Sequence, residues 1–598
     1  MGIKKILIGY AFLFLLPAIY LYLIFNNGIS FLVEHFFYSI YLLLILVHIK
    51  TLVFVLVKPK AVRVLLSIVA FITLNYFIIA YLLFYFGKIE LSVPFTYNVV
   101  IPYIENYKEL LNVISIPYYK LIIIIILYLI IVFVWQSVHL QVINGFLKDS
   151  SNLLKKIKLK FIILSLAFFI IFPLLLSQIS IFYKRFETNK SRQPHLTQFF
   201  YENYFEKQKK IGIKNIHDKN QYSNNLNFNK KNIIIIVCDA LRDNYFGFNG
   251  GEKNVSPFID SLVLSKNYIN VDNFYSTTSN SYNGVSSIFS SNYLLYRNNF
   301  FLYDLLKKQG YSINFILSGD LTNFSGMKKH LKTKSVDSYS DGYKNFKEGF
   351  TNNFNDDKKN VITKLNDINN YDGTPTFYYL HLMSTHQIGY LERKNKIFKP
   401  SEIDLSSRNH NNEKLQNNYK NRVHQLDGNI NQIFSILENK GYMSNSIVVI
   451  TSDHGQNLGE NNLYWHGVNL TYENTKIPLI ISNNYNFKID TTSLKNQLDI
   501  SPTILDMLKI PKPKSWQGNS IYKGKKEKYL FQYQNNEYSI LWKENLITFR
   551  YYINKATKDE KLYKIIDGKI NYTNIIHSIK KSRVNSLREL IYKKFNLK

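Results

Sequence analysis

An Asp–His pair, Asp453-His454, closes the apolar β-type run Ile447-Val448-Val449-Ile450, and a second histidine, His466, follows within one short loop. Carboxylate and imidazole side by side are the donor set of a zinc-type site, and strand ends of open α/β sheets are where ligands bind. Three other segments offer complementary groups. The run Ile233–Val237 leads through Cys238 to Asp239, a carboxylate suited to a divalent metal or, more simply, to capping a helix. The hydroxyl-rich run Ser276–Phe289 holds candidate nucleophiles, because a hydroxyl held by a divalent cation gives up its proton more easily. Composition does not choose among its serines and threonines. His381 and His386 stand at the end of another strand-like run. His386 is expected in the same cleft, holding a phosphate oxygen or a second metal, and His381 is read as structural.

The elements that must carry these residues follow from the apolar pattern. Strands are expected at Ile233–Val237, Ser312–Leu317, Thr376–Leu382, Ile447–Thr451 and Leu479–Ser482. Helices are expected at Pro257–Ser265, Phe301–Gln309 and Tyr419–Lys440. This alternation predicts a mostly parallel sheet sandwiched by helices. Further on, Gln497–Ile510 has helical periodicity, Tyr529–Ile553 reads as aromatic strands, and a basic helix is expected over Ile575–Phe595. The Asn-rich stretches Thr351–Asn360 and Asn409–Asn418 read as surface loops.

Ahead of this α/β region the composition is different. Five runs of roughly 20 apolar residues precede Tyr183, each long enough to cross a bilayer. They are Ile6–Phe25, Phe31–Val57, Val62–Phe86, Leu121–Trp135 with its flanks, and Phe161–Phe182. The first lacks a small-residue cleavage site and reads as an anchor. Lys4 and Lys5, then Lys58, Lys60 and Arg63, then Lys148, Lys155, Lys156, Lys158 and Lys160 fall in every second inter-span segment, which places those segments in the cytoplasm. Everything after Tyr183 is then external. The expected division is a five-helix membrane domain over 1–183, a linker with an interfacial helix at Leu196–Gln208 over 184–231, a catalytic domain over 232–525, and strands and a helix completing it over 526–598. The net charge of +31 fits an anionic membrane surface, and the topology argues against nucleic acid as a partner. A single cysteine, Cys238, excludes a disulfide framework or a Cys-based metal site and reads as a small core residue.

Taken together, the motifs resemble the alkaline phosphatase/sulfatase superfamily, and within it the membrane-bound phosphoethanolamine transferases acting on lipid A and related glycans. Asp239-Ala240-Leu241-Arg242-Asp243-Asn244-Tyr245-Phe246 with Ser256-Pro257 is similar to that family's first metal motif, where Asp239 stands in place of the usual Glu. Ser452–Glu460 through His466-Gly467 resembles the last metal motif, and His381–His386 the family's middle His segment. Glu473, Lys476–Ile480 and Asp499–Leu505 resemble later superfamily elements. The family's nucleophile is typically Thr, set at a short distance ahead of a Phe; counting back from Phe289 gives Ser281, with Ser279 or Thr278 as alternatives.

The resemblance implies a metal set of Asp239, Ser281, Asp453 and His454, with His386 and His466 binding substrate. It implies Zn²⁺, one ion or two, or another divalent cation. It also implies a phospholipid donor such as phosphatidylethanolamine, a lipid-linked or glycan acceptor, and a multi-pass protein of the cell membrane with its catalytic domain outside the cytoplasm. No Cys-x-Pro-Ser-Arg motif surrounds the candidate serine, which argues against a sulfatase. The disulfides common in the lipid A enzymes are absent, and this brings in glycerol phosphate transfer of the lipoteichoic acid type as the rival. A lipid-binding protein that keeps the fold without catalysis is a third reading.

Overall fold

The computed structural model describes residues 226 and 228–597, apart from 294–299, 323–326, 332, 403–411, 468, 484–492, 523–527 and 556. The five apolar runs and the interfacial helix expected at Leu196–Gln208 lie outside the described residues. Among the described residues, no helix is long and apolar enough to cross a membrane.

A seven-stranded sheet forms the centre. Its strands are β1 (Asn232–Cys238), β2 (Tyr268–Asn270), β3 (Ser312–Leu317), β4 (Ser338–Ser340), β5 (Thr376–Leu382), β6 (Ser446–Thr451) and β7 (Leu479–Ser482), in the spatial order β2-β7-β6-β1-β5-β3-β4. β1 pairs in parallel with β5 and β6, with Val237 level with His381 on one side and Thr451 on the other. β3 pairs in parallel with β5 and β4. Only β7 runs against its neighbours, antiparallel to β6 and β2. The mostly parallel sheet expected from the apolar pattern is thus present.

Every residue of β1 is buried because both of its faces are covered. Ile233, Ile235 and Val237 pack on one face with Val285, Ile288 and Phe289 of α2 (Ser281–Ser290), Leu305 of α3 (Leu302–Lys308) and Ile504 of α5 (Ile500–Met507). Ile234, Ile236 and Cys238 pack on the other with Ile259 of α1 (Pro257–Leu264) and Leu426, Ile430 and Ile433 of α4 (Asn412–Asn439). The alternation of side chains along a strand sorts them between the two cores. Cys238 is fully buried, in keeping with its reading as a core residue.

A second, antiparallel sheet follows in simple up-and-down order: β8 (Leu530–Gln534), β9 (Glu537–Glu544), β10 (Ile547–Asn554), β11 (Glu560–Ile566) and β12 (Lys569–Asn571). Helix α6 (Lys581–Lys594) covers it through Val584, Leu587 and Ile591.

Two expectations need correcting. Thr351–Asn360 is not a surface loop throughout: Asn355, Asp357 and Asn360 are buried. The Asn360 amide donates to the carbonyls of Asn353, Phe354 and Asp356, so its polar groups are satisfied inside the protein. The later Asn-rich stretch is helical from Asn412, within α4, where Asn417 and Asn418 donate to the carbonyls of Pro400 and Ser401.

Candidate active site

Parallel strands deliver their C-terminal ends to one edge of the sheet. Asp239 follows β1, His381 is the penultimate residue of β5, and Ser452-Asp453-His454 follow β6. The turn after β1 is sharp, with Ala240 in the left-handed region at φ 61°. It is held from all sides. The Ala240 N–H donates to Asp453 Oδ1 at 3.2 Å, and the Leu241 N–H to Ser452 Oγ at 2.9 Å. Thr385 Oγ1 donates to the Asp239 carbonyl at 2.6 Å. The Tyr419 hydroxyl accepts from the Arg242 N–H and donates to the Ala240 carbonyl. An unfavourable backbone conformation persists where its surroundings over-determine it, and such residues cluster at functional sites.

Ser281 is the first residue of α2, and the helix is capped by Asn280, whose side chain accepts from the Asn283 N–H at 2.9 Å. Ser281 Oγ lies 3.3 Å from Asp239 Oδ2 and 3.1 Å from His454 Nε2. The helix can approach this closely because residue 284 is glycine: a Cβ there would sit 2.3 Å from the Asp453 carbonyl oxygen. The two alternative hydroxyls are placed differently. Thr278 Oγ1 donates to Gln534 Oε1 at 2.7 Å, and Ser279 Oγ is buried with no hydrogen-bond partner among the described residues.

The histidine hydrogen bonds assign their ring protons. His454 Nδ1 donates to the Gly455 carbonyl at 2.8 Å, leaving the Nε2 lone pair facing Ser281, Asp239 and Asp453. His466 Nδ1 donates to Gln456 Oε1 at 2.6 Å, so its Nε2 is an acceptor. His386 Nδ1 accepts from the Ile388 N–H at 3.2 Å, so the proton resides on Nε2, which lies 3.3 Å from His466 Nε2.

His381 is not merely structural. Its Nε2 lies 3.3 Å from Asp239 Oδ2, and its Nδ1 is 2.9 Å from the Tyr379 hydroxyl. Burial opposes charge on this imidazole, but the Asp239 carboxylate it contacts, with Asp453 and Asp357, raises its pKa above the ordinary value.

Burial shapes the charge. It pushes the Asp453 carboxyl up, and the Asp239 charge beside it adds to that. Burial also works against Asp239 ionisation, but His386, His381 and His454 outweigh it and hold that carboxyl well below the usual range. Burial brings His386 down to about 4, and it takes His466 well below its ordinary value with help from His454 and His386. Both imidazoles are therefore neutral at pH 7.

Two groups of side chains bring their donor atoms within 4.8 Å of one another: Asp239, Asp453 and His454, and Asp239, His386 and His466. Asp239 Oδ1 and Asp453 Oδ2 are buried and have no hydrogen-bond partner among the described residues. Unpaired buried carboxylate oxygens facing an imidazole lone pair are costly without a cation and suit a divalent ion that takes N and O ligands. These residues fit such an ion.

Other groups position the site from further out. The Gln497 side chain accepts from the Thr277 N–H at 3.0 Å and donates to the Asp453 carbonyl at 2.6 Å. Arg242 pairs with Glu460 at 2.6 Å, and Lys476 with Asp243 at 2.6 Å, so the first motif is tied to the later ones. Arg422 donates to the carbonyls of Ser384, His386, Gln387 and Gly389, which fixes the loop that carries His386. Arg242, Asp243, Gln456, Glu460 and Lys476 stand within the motif segments quoted above, whereas Gln497 has only its place before Asp499–Leu505 and Arg422 has no motif at all.

A family model described as Sulfatase matches residues 231–510. Phosphoethanolamine transferase EptA of Helicobacter pylori is 32% identical over 134 residues, 21% of this chain and 25% of that protein. N-acetylglucosamine-6-O-sulfatase of Bacteroides thetaiotaomicron is 35% identical over 99 residues, 16% of this chain and 17% of that protein. The matches thus span a quarter or less of the length of these two curated relatives. Among solved structures, the C-terminal periplasmic domain of EptC from Escherichia coli in complex with Zn is similar at 14% identity and a TM-score of 0.43, over 51% of this chain and 90% of that one.

Proposed function

We propose that this chain, whose residues 231–510 form a domain of the sulfatase/alkaline phosphatase superfamily, is an enzyme that moves phosphoethanolamine from a membrane phospholipid to a lipid or glycan of the cell envelope. The observation that carries the reading is the setting of Ser281. Its Oγ lies between Asp239 Oδ2 and His454 Nε2, at the N-terminal end of a helix, where a phosphate is favoured.

Asp239, Ser281, Asp453 and His454 would hold a divalent cation, Zn²⁺ by the character of the donors. When bound, that ion supplies positive charge against the attacked phosphate and lowers the pKa of the serine hydroxyl. The chain's own side chains do the remaining work. In the first half, a bond forms between Ser281 Oγ and phosphorus, the bond from phosphorus to the diacylglycerol oxygen breaks, and the serine proton leaves with that oxygen. The N–H of His386 Nε2 donates to a phosphate oxygen, and the neutral His466 Nε2 accepts and passes on the proton. In the second half, the acceptor hydroxyl attacks phosphorus, Ser281 Oγ departs, and the acceptor's proton returns to it. The external, multi-pass setting read from the five apolar runs brings both lipids within reach.

The test is mass spectrometry of the peptide carrying Ser281 after incubation with phosphatidylethanolamine. A phosphoethanolamine adduct is expected on Ser281, and none on Ser281→Ala. A glycerol phosphate adduct formed from phosphatidylglycerol would favour the rival donor. Full transfer activity in Ser281→Ala would overturn the assignment.

A further inference from the structure

The loop that begins at His386 continues outward as Gln387-Ile388-Gly389-Tyr390-Leu391-Glu392-Arg393-Lys394-Asn395-Lys396-Ile397-Phe398-Lys399. It holds two of the few large apolar side chains left in water among the described residues: Ile397 is 50% exposed and Tyr390 41%. Arg393, Lys394, Lys396 and Lys399 neighbour them in the chain against one acid, Glu392, which is engaged by Lys394 at 2.9 Å and Lys358 at 3.8 Å.

The exposure is built in. Helix α4 grips the loop at successive turns. Asn421 accepts from the Phe398 N–H at 2.8 Å and donates to the Phe398 carbonyl at 2.9 Å. Gln425 accepts from the Glu392 N–H at 2.7 Å and from the Asn395 amide at 3.0 Å, and donates to the Tyr390 carbonyl at 2.5 Å. Arg422 holds the Gly389 carbonyl at 2.7 Å. These bonds fix the course of the loop along α4, and Tyr390 and Ile397 are left facing outward. Single exposed residues such as Leu546, in the turn between β9 and β10, are ordinary. Exposed apolar side chains flanked in the chain by lysine and arginine are instead the composition of a segment that seats in a bilayer interface, with apolar groups at the acyl boundary and cations on anionic headgroups.

We propose that the loop over residues 388–399 docks onto an anionic phospholipid bilayer, with Tyr390 and Ile397 entering the interface and Arg393, Lys394, Lys396 and Lys399 contacting headgroups. The charge excess selects a bilayer with anionic lipid over a neutral one. Because the loop leaves directly from His386, docking would hold the mouth of the candidate site at headgroup level. The inference is independent of which group the site transfers.

Cys238, the chain's single cysteine, is fully buried, so a new surface cysteine can be labelled alone. The full-length chain carrying Ile397→Cys, or Tyr390→Cys as the second position, is labelled with an environment-sensitive fluorophore and placed in vesicles of phosphatidylcholine with or without phosphatidylglycerol. Leu546→Cys is the control. A several-fold rise in emission at 397 and 390, quenched by lipid-borne nitroxide and reduced by the Arg393→Glu/Lys394→Glu pair, is expected only with phosphatidylglycerol. Emission at 397 and 390 no different from that at 546 would overturn the proposal. The same rise in detergent without vesicles would also overturn it, by showing that protein covers the loop.

Discussion

The Asn280 amide donates to Gln534 Oε1 at 2.6 Å, across 254 residues of chain. The same Oε1 accepts from Thr278 Oγ1 at 2.7 Å, and Gln534 Nε2 donates to the Gly467 carbonyl at 2.6 Å. One amide from the second sheet thus joins the helix cap ahead of Ser281 to the peptide behind His466. Gln534→Leu keeps the volume and removes all three bonds. A misplacement of about 1 Å at a reacting group costs on the order of 10²-fold, so kcat is expected to fall by about that factor with KM little changed. Steady-state kinetics check this, and an unaltered kcat would remove Gln534 from the machinery.

Gly284→Ala tests the approach of α2 to the Asp453 loop. In an ordinary helix this change stabilises by roughly 0.5–1 kcal/mol. Here the added methyl would meet the Asp453 carbonyl, so the sign is expected to reverse, with a loss of about 1–3 kcal/mol. Urea unfolding reads the sign directly.

His381 orients Asp239 without itself belonging to either group of candidate ligands. Groups that orient a metal-bound side chain are typically worth about 10–100-fold in metal affinity. Replacement of His381 by Gln is expected to weaken zinc binding by such a factor in competition with a chelator, while chelation of the wild type abolishes transfer and added zinc restores it. Tight zinc binding in His381→Gln would show that the contact is incidental.

Asp427 of α4 caps α1 from across the core, its carboxylate accepting from the N–H groups of Ile259 at 2.8 Å and Phe258 at 3.0 Å. Burial nevertheless pushes its carboxyl up to about 6. A raised carboxyl favours the protonated folded protein, so its contribution is present in full below the unfolded value near 4 and is lost as pH rises through about 6. Relative to Asp427→Asn, the wild type is expected to lose about 2 kcal/mol between pH 4.5 and 7.5. Chemical denaturation of both proteins across that range measures it, and a constant difference would contradict it.

The central strands were legible because a strand covered on both faces must be apolar throughout. Thr376–Leu382 and Ser312–Leu317 have the bounds expected, and Ile233–Val237 is extended by one residue at each end. The three-residue strands β2 and β4 were missed, being too short to show a period. Helix α2 was hidden for a different reason: its serines are weak helix formers, and its start is set by the Asn280 cap. Helix α4 begins at Asn412 rather than Tyr419 because Asn417 and Asn418 find distant carbonyl partners that local sequence does not display. At the site, Asp239, Asp453, His454, His386 and His466 were readable because each follows an apolar run in a recognisable motif. The amides of Gln497 and Gln534 leave no such mark, since their partners are far away in the chain.

The dependence of the Ser281 loop on Gln534 also sets a clock. A chain emerges from the ribosome at about 5–20 residues per second, and 254 residues separate Asn280 from its partner. The loop that presents the serine is therefore made on the order of 10–50 s before the strand that fixes it. Over the last part of that interval, once Asp453 has been made, the nascent protein holds the hydroxyl and its carboxylates without the bond that aligns them, so activity is expected to arrive late in synthesis.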